Sequence, residues 1–202
     1  MKSFVKVIIG VIICFQINAQ NKAQSYIDNM QKKFKSFGAF SANFSYSSDG
    51  GSTMNGSITV KGNKFRLKTA GQEIFNNGKE VATYIKEINE VNISSFDPTE
   101  GDISPAKIYS FDKKSYKSNL VSDSGNLAVV ELVPSAKNGQ VQKITLRLDK
   151  ASSEVREWTI QNKNGKKQNF KVTKLNSKIS ADEKTFNFDK KLFPGVEIND
   201  LR

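Results

Sequence analysis

Residue types that carry enzyme chemistry are scarce in this sequence. It contains no histidine, and its single cysteine is Cys14. Without histidine, a Ser-His-Asp triad, a Cys-His dyad and a histidine-ligated zinc site are excluded, and the side chain that most often acts as a general base near neutral pH is missing. Any catalytic mechanism would have to use carboxylates, lysines or serines alone.

The remaining candidate motifs are weak. The Ser-x-x-Lys pattern of penicillin-recognising enzymes occurs at Ser104–Lys107, but it recurs at Ser110–Lys113 and Ser3–Lys6, and no Lys-Thr-Gly follows. The adjacent acids Asp182 and Glu183 lack the apolar surroundings that a catalytic carboxyl needs, and are interpreted as part of a solvated turn. The sequence also lacks a glycine-rich phosphate loop and a calcium loop. We therefore predict that the protein is not an enzyme and has neither a metal site nor a cofactor.

Residues 1–20 have the pattern of a secretory signal peptide. Lys2 and Lys6 precede the apolar run Val7–Phe15, which is shorter than the roughly 20 residues that a membrane-spanning helix needs. Ala19 is a small residue suited to the last position before the cleavage site. We expect cleavage near Ala19 or Gln20 and export to the periplasm.

Two alternatives to a cleaved signal peptide are an uncleaved anchor and a lipoprotein signal in which Cys14 would carry the lipid. Lipoprotein signals place a small residue just before the cysteine, but this sequence has Ile13 there. We interpret Cys14 as an ordinary member of the apolar run. The exported chain would then have no thiol and no disulfide.

The exported protein is basic. Loss of Lys2 and Lys6 lowers the formal net charge from +11 to +9, which favours attraction to anionic surfaces. The lysines are scattered as short pairs rather than grouped with arginines and aromatic residues as in a nucleic-acid groove. We predict a solvated basic surface and no nucleic-acid partner.

The elements that would position a site are one helix and a series of strands. Apolar residues recur at helical spacing through residues 21–37, and Gly38 ends the predicted helix. The period then changes to two, with Phe40, Ala42, Phe44 and Tyr46 alternating with polar residues. Later strands are separated by turn signals such as Asn77-Gly78 and Asn138-Gly139. A last strand-like piece is predicted over residues 185–188.

About eleven strands in hairpin succession predict a mainly β fold, an antiparallel sheet that curls toward a barrel. The 202-residue chain shows no linker or repeat, so residues 21–202 are expected to form one domain. An insert at about 97–114 breaks the strand pattern: Ser104-Pro105-Ala106 reads as the start of a short helix of about two turns. We predict an unclosed barrel with an N-terminal helix and a short helical lid.

Aromatic residues are abundant on the predicted strands. The sequence has 14 phenylalanines, and the exported chain loses only Phe4 and Phe15. These side chains could fill a core, but large barrels also enclose ligand cavities. The residues alone leave both interpretations open.

Several short motifs together resemble the periplasmic outer-membrane lipoprotein carrier family, the LolA-like proteins. In chain order the sequence contains Gly56–Lys61, Lys64–Arg66, Asn77-Gly78-Lys79 followed by Tyr84, Leu132-Val133-Pro134, Gln142–Leu146, Thr185–Phe188 and Pro194–Ile198. The resemblance extends from about Ala23 to Leu201.

The resemblance implies an unclosed antiparallel barrel whose hydrophobic cavity takes the acyl chains of lipoproteins. Such a carrier accepts its cargo from an ATP-driven release complex in the inner membrane and delivers it at the outer membrane, to an acceptor if one is present. On this basis we assign cavity lining to six residues: Phe40, Phe44, Phe65, Phe75, Tyr84 and Trp158. Lid contact is assigned to Ile103, Ile108, Tyr109 and Phe111.

One position departs from the family pattern. The family commonly has an arginine that latches the lid, just after the Val-Lys of this strand, whereas Gly62 follows Val60 and Lys61 here. Arg66 is the candidate substitute, although a shift of one residue in register decides which face of the sheet it meets.

Other functions fit the same pattern. An exported binder of another lipid or hydrophobic ligand would use the same barrel, and a lipidated outer-membrane acceptor would resemble the carrier in fold. A surface scaffold with a filled core and an enzyme using carboxylate and lysine chemistry are the remaining alternatives. Lysines near strand ends, such as Lys163 and Lys166, would discourage edge pairing, so we expect a monomer.

Overall fold

The computed structural model describes residues 22–97, 107–109 and 111–202. The predicted signal peptide, residues 1–20, lies outside the described residues. A helix, α1, covers residues 22–36, and its buried positions are Ala23, Ile27, Met30 and Phe34. Their spacing of three and four residues places them on one face of the helix, which packs on the sheet. Within the described ranges, no helix is both long and apolar enough to span a membrane.

Twelve strands form a single sheet in the order β12-β6-β5-β4-β3-β2-β1-β11-β10-β9-β8-β7. Their bounds are β1 Ala39–Ser48, β2 Met54–Lys61, β3 Lys64–Lys68, β4 Gln72–Asn76, β5 Glu80–Ile85, β6 Glu90–Ser95, β7 Tyr116–Ser122, β8 Leu127–Pro134, β9 Val141–Asp149, β10 Val155–Asn162, β11 Lys167–Asn176 and β12 Glu197–Asp200. Strands β7 and β12 lie at opposite edges, so the sheet is not closed. The predicted mainly β, unclosed architecture is confirmed.

The end of the chain differs from the expectation. The predicted strand at residues 185–188 is replaced by a 3-10 helix, Glu183–Phe186, in which Phe186 is fully buried. The twelfth strand, β12, pairs with β6 in parallel, whereas the other pairs are antiparallel. The two partners are far apart in the chain, and residues 177–196 carry the chain from the end of β11 to this edge of the sheet.

Alternation along the strands separates two faces of the sheet. We call the face that carries α1 the inner face. Its buried residues form one cluster with those of α1, the inner cluster, which includes Phe40, Phe44, Ile58, Leu67, Leu132, Ile144, Leu146, Trp158 and Phe170. Helix α1 therefore occupies part of the space that the curled sheet surrounds.

The outer face of β4–β6 is covered by the C-terminal segment. Phe75, Ala82, Val91 and Val196 are buried there in a second cluster, the outer cluster, and Tyr84, Ile93, Phe188 and Phe193 pack against it. The segment that leads to β12 thus has a packing role, because it removes this apolar surface from water.

The insert predicted to form a lid is only partly described. Residues 107–109 form a single 3-10 turn, Lys107–Tyr109, and a second turn covers Lys113–Ser115. Ile103 and the predicted helix start Ser104-Pro105-Ala106 lie outside the described residues. The described part shows short 3-10 turns where an α-helical segment of about two turns was expected.

Candidate functional site

A cavity of about 330 Å³ lies at the C-terminal end of α1, against the inner face. Helix α1, the start of β1, the end of β2 with the β2–β3 turn, and the 3-10 turn at 107–109 each contribute to it. The lining residues are Gln31, Phe34, Lys35, Gly38, Phe40, Val60, Gly62, Asn63 and Tyr109. Aromatic and aliphatic side chains form the interior, and polar side chains lie around it, as in sites for amphipathic ligands.

Tyr109 connects the 107–109 turn to the centre of the inner cluster. Its ring centroid lies 4.2 Å from that of Phe34, 5.0 Å from that of Phe40 and 6.5 Å from that of Trp158. The side chain is almost completely buried, and burial raises the pKa of the Tyr109 hydroxyl well above its ordinary value. The hydroxyl therefore stays neutral, and the ring occupies apolar space beside the cavity.

Polar contacts with α1 hold the segment that follows Tyr109. Gln31 Nε2 donates a hydrogen bond of 2.8 Å to the carbonyl oxygen of Phe111. Lys113 forms an ion pair with Asp28, and the hydrogen bond from Lys113 holds the pKa of the Asp28 carboxyl below its usual range. Since Asp28 and Gln31 are about one turn apart on α1, one side of the helix holds this segment.

The predicted lid residues Ile108, Tyr109 and Phe111 come together in the inner cluster. Ile108 is fully buried, and the Phe111 ring lies 5.4 Å from that of Tyr116 at the start of β7. These three side chains therefore pack against the inner face; that they form a lid stays a prediction.

Four of the six predicted cavity residues belong to or pack against the inner cluster: Phe40, Phe44, Phe65 and Trp158. Of these, Phe40 lines the cavity directly. The ring of Phe44 lies over Gly56, where an added Cβ would be 2.5 Å from Phe44 Cζ. The glycine is required for this close approach, because a side chain there would overlap the ring.

Phe75 and Tyr84 differ from the expectation, because the structure places them in the outer cluster. Phe75 pairs with Arg66 across β3 and β4, and the next residue pair, Leu67 with Ile74, packs in the inner cluster. Successive residues of a strand point to opposite faces. Phe75 is therefore separated from Phe40 by the sheet itself.

The suggested latch residue Arg66 also lies on the outer face. Its Nε donates to Glu73 Oε1 at 2.5 Å, and its guanidinium carbon lies 4.8 Å from the centroid of the Phe75 ring. Arg66 thus points away from the face that carries Tyr109, and it does not serve as a latch there. Gly62, at the position of the family arginine, lines the cavity, and nothing lies within 4 Å of the position that a Cβ would take there.

Sequence reasoning missed several residues of this site. Phe34 and Gln31 of α1 line the cavity, and the helical periodicity that marks Phe34 as buried could have identified it. Tyr46 and Phe170 continue the aromatic surface: Phe170 stacks on Trp158 at 4.9 Å with 7° between the ring planes, and Tyr46 stacks on Phe170 at 6.1 Å. Their place follows from the pairing of β1, β11 and β10, which local periodicity does not reveal.

The site combines an aromatic interior with polar side chains at its edge. Around it, Lys35 and Gln31 offer polar groups at the edge of an aromatic interior. Among the described residues, no three or more acidic or cysteine side chains are grouped so that they could hold a metal ion. The arrangement can exclude water from an apolar ligand and present polar contacts to its more hydrophilic end.

Comparison with known proteins gives a family and a shared fold. The sequence matches the family model described as outer membrane lipoprotein carrier protein LolA over residues 14–166. No match was found among curated proteins. A crystal structure described as a proposed outer membrane lipoprotein-sorting protein domain from Vibrio parahaemolyticus is 16% identical with a TM-score of 0.52, and the match covers 86% of this chain and 99% of that chain.

A second structure, an uncharacterized conserved protein from Thermus thermophilus, is 12% identical with a TM-score of 0.59, and the match covers 89% of this chain and 99% of that chain. At these identities the likeness shows the fold. The family match shows more than a shared fold, because it is a match of sequence over most of the chain. The matched residues include α1, strands β1 to β10 and the whole cavity lining. The chain belongs to the outer membrane lipoprotein carrier protein LolA family.

Proposed function

We propose that this protein is an exported, periplasmic carrier that binds the acyl chains of lipoproteins against the inner face of its sheet. The observation that carries this proposal is the cavity beside Tyr109, which an aromatic interior lines within a fold of the LolA family. The N-terminal signal-like segment supports export. Residues 21–202 would be the mature protein, a single domain acting as a monomer.

The described cavity alone does not accommodate a long acyl chain. Its volume of about 330 Å³ is near the lower end of the roughly 300–1,000 Å³ typical of ligand sites. Tyr109 and Phe34 occupy the adjoining space, where their rings contact each other. Loading would displace the ring of Tyr109 and extend the cavity toward Trp158.

A carrier of this kind would shield the acyl chain of its cargo from water, and the exposure of such a chain has a large free-energy cost. Each buried methylene is worth about 0.8 kcal/mol, so a chain of about 16 carbons exposed to water costs on the order of 12 kcal/mol. In the proposed cycle the carrier takes its cargo from an ATP-driven release complex in the inner membrane and transfers it at the outer membrane, to an acceptor if one is present. The carrier itself hydrolyses nothing, because its site offers binding contacts only.

The proposal can be tested on the mature protein purified from the periplasm of its host. Native mass spectrometry with lipid extraction should find a diacylated or triacylated lipoprotein at about one per chain. If another lipid co-purifies instead, the protein is a carrier of that lipid and the lipoprotein part of the proposal is wrong. A protein that is free of lipid and rejects fatty-acyl probes would instead be a scaffold with a filled core.

A pair of matched variants ties binding to the cavity. Asn63 is exposed in the β2–β3 turn and lines the cavity, so Asn63→Trp should fill the opening and weaken binding of a fluorescent fatty acid. Asn138 is exposed in another hairpin turn, and Asn138→Trp should leave binding unchanged. Equal binding by both variants would place the ligand elsewhere.

A further inference from the structure

Lysines surround the opening of the cavity beside Tyr109. The last turn of α1 carries three of them, Lys32, Lys33 and Lys35, and the sequence has no acidic residue over residues 29–48. Lys35 lines the cavity itself. Because an α-helix has about 3.6 residues per turn, Lys32 lies next to Lys35 around the helix, and Lys33 lies on the opposite flank. The end of α1 therefore presents positive charge on several sides.

These three lysines are not neutralised by carboxylates of the described part of the chain. The preceding acid on α1 is Asp28, and it pairs with Lys113. None of the ion pairs between described residues includes Lys32, Lys33 or Lys35. Lys32 and Lys35 are exposed, and Lys33 is half-buried. Their charges are therefore available to a partner outside the chain.

The β2–β3 turn adds positive charge on another side of the opening. Gly62 and Asn63 at the tip of this turn line the cavity, and Lys61 and Lys64 flank them. Both lysines pair with the carboxylate of Glu183, at 3.0 Å in the case of Lys61. Two ammonium groups beside one carboxylate leave an excess of positive charge at the turn.

A partly exposed aromatic ring lies among these charges. Phe37 is half-buried, and its ring centroid lies 5.4 Å from that of Phe34 and 6.0 Å from that of Phe40. Lys33 Nζ lies 5.6 Å from the centroid of the same ring. Lysines around an aromatic side chain are typical of surfaces that meet a membrane, because the ring enters the apolar layer while the ammonium groups stay with the headgroups.

We propose that the opening of the cavity docks on an anionic phospholipid membrane, with Lys32, Lys33 and Lys35 against the lipid phosphates. Charge complementarity selects this partner, because anionic lipids give a membrane a negative surface potential that attracts clustered lysines. Docking would place the opening against the bilayer, so that an apolar ligand passes between cavity and membrane without crossing water. The inference deepens the proposed function and rests on it for the ligand that is transferred.

The test is sedimentation of the mature protein with vesicles of phosphatidylcholine alone and with vesicles of equal parts phosphatidylcholine and phosphatidylglycerol. Wild-type protein should bind the anionic vesicles, and added salt should weaken this binding because it screens the charges. A triple variant, Lys32→Gln with Lys33→Gln and Lys35→Gln, should bind them about a hundredfold more weakly, since each lysine near such a surface contributes about fivefold.

The matched control removes three lysines elsewhere: Lys163→Gln, Lys166→Gln and Lys167→Gln. These exposed residues lie in and beside the β10–β11 turn. This turn adjoins the end of β1 away from the cavity, where the backbone N–H of Asp49 donates to the carbonyl oxygen of Lys167. The control should keep most of the binding. Equal losses in the two triple variants would show that binding follows net charge alone, and would overturn the docking surface.

A fluorescent label locates the contact. The only cysteine of the sequence is Cys14 in the predicted signal peptide, so Asn63→Cys at the opening and Asn164→Cys in the β10–β11 turn can each carry a single environment-sensitive label on the mature protein. Anionic vesicles should shift the emission of the label at position 63 to the blue and leave that at position 164 unchanged. A blue shift at position 164 alone would overturn the proposed orientation.

Binding of a fluorescent fatty acid, measured on the same preparation, separates this inference from the proposed function. Wild-type protein that binds the fatty acid but does not sediment with anionic vesicles would overturn the docking inference alone, and an acidic protein surface would become the candidate partner of these lysines. Wild-type protein that rejects the fatty acid would overturn the proposed function, and the transfer role of the docking surface with it.

Discussion

The rings of Tyr109 and Phe34 lie with their centroids 4.2 Å apart, at a 41° tilt, between α1 and the inner face. This contact joins the 107–109 turn to α1. Among the described residues of the predicted lid, that turn is the part that reaches the cavity. The same ring also contacts Phe40 of β1. Tyr109 is therefore both a packing residue and the residue that limits the size of the cavity.

Tyr109→Ala should destabilise the protein and improve its response to ligand. Loss of a buried aromatic ring from a well-packed cluster typically costs about 3–5 kcal/mol, so Tm should fall. The space released adjoins the cavity, so a fatty-acyl ligand should raise the Tm of the variant more than that of wild type. Differential scanning calorimetry with and without ligand measures both effects. An unchanged Tm in the variant would contradict the packing role.

Gly56→Ala should destabilise the folded protein, because the added methyl group would overlap the ring of Phe44. The added Cβ would lie 2.5 Å from Phe44 Cζ and 2.8 Å from the carbonyl oxygen of Lys68, and the backbone atom cannot give way as a flexible side chain does. Overpacking of this kind costs about 1–3 kcal/mol. Urea denaturation measures it.

The matched control for this glycine is Gly71→Ala, since nothing lies within 4 Å of the Cβ that would be added there. This variant should be close to neutral. A double change, Gly56→Ala with Phe44→Leu, should recover part of the lost stability because the shorter side chain clears the new methyl group. Equal stability of Gly56→Ala and Gly71→Ala would refute the overlap.

Acid should weaken the contact between α1 and the β7–β8 turn. Asp123 accepts hydrogen bonds from Lys22, from Lys150 at 3.1 Å and from the Tyr26 hydroxyl at 2.9 Å. These bonds hold the pKa of Asp123 well below its ordinary value, with the largest contribution from Lys22 and the next largest from Lys150. A carboxyl with a lowered pKa in the folded state contributes stability above its unfolded pKa, near 4, and loses it as pH falls.

The free energy of unfolding should therefore decrease from about pH 5 toward about pH 2, and Asp123→Asn should show a shallower decrease because its side chain does not titrate. Chemical denaturation at several pH values measures the slope. Glu87→Gln, at an exposed site in the β5–β6 turn, should keep the wild-type slope. Identical slopes for Asp123→Asn and wild type would show that this site does not carry the effect.

Deletion of residues 177–202 should cause self-association. The deletion uncovers Phe75 and Val91 of the outer cluster and removes β12 from the edge of β6. An exposed apolar surface beside an unpaired strand edge favours pairing with another chain. Size-exclusion chromatography with light scattering should show oligomers or aggregates.

Arg202→Ala is the mild counterpart of this deletion. It removes the ion pair between Arg202 and Glu80, both of which are partly exposed, and surface pairs of this kind contribute little. The variant should behave like wild type in the same measurement. A monodisperse deletion variant would show that the C-terminal segment is dispensable for covering the outer face.

Much of this fold could be predicted from local patterns, because the spacing of apolar residues along the chain differs between a strand and a helix. The alternation of Phe40, Ala42 and Phe44 predicts a half-buried strand, and all three are buried on the inner face. Glycine turns such as Asn77-Gly78 mark the hairpins. The site was less accessible to this reasoning, because the period shows that Phe75 is buried without showing which face of the sheet it lies on.

Sequence by itself determined the unclosed, mainly antiparallel sheet, the N-terminal helix and the family, since these depend on periodicity, turns and motif order along the chain. Tertiary structure alone decided that the C-terminal segment covers the outer face, that Arg66 and Phe75 lie there, and that Tyr109 meets Phe34 and Trp158. These relations join residues far apart in the chain, and a shift of one residue in register exchanges the two faces. The physical reason is that burial is a property of the whole packed sheet, whereas periodicity is a property of each strand.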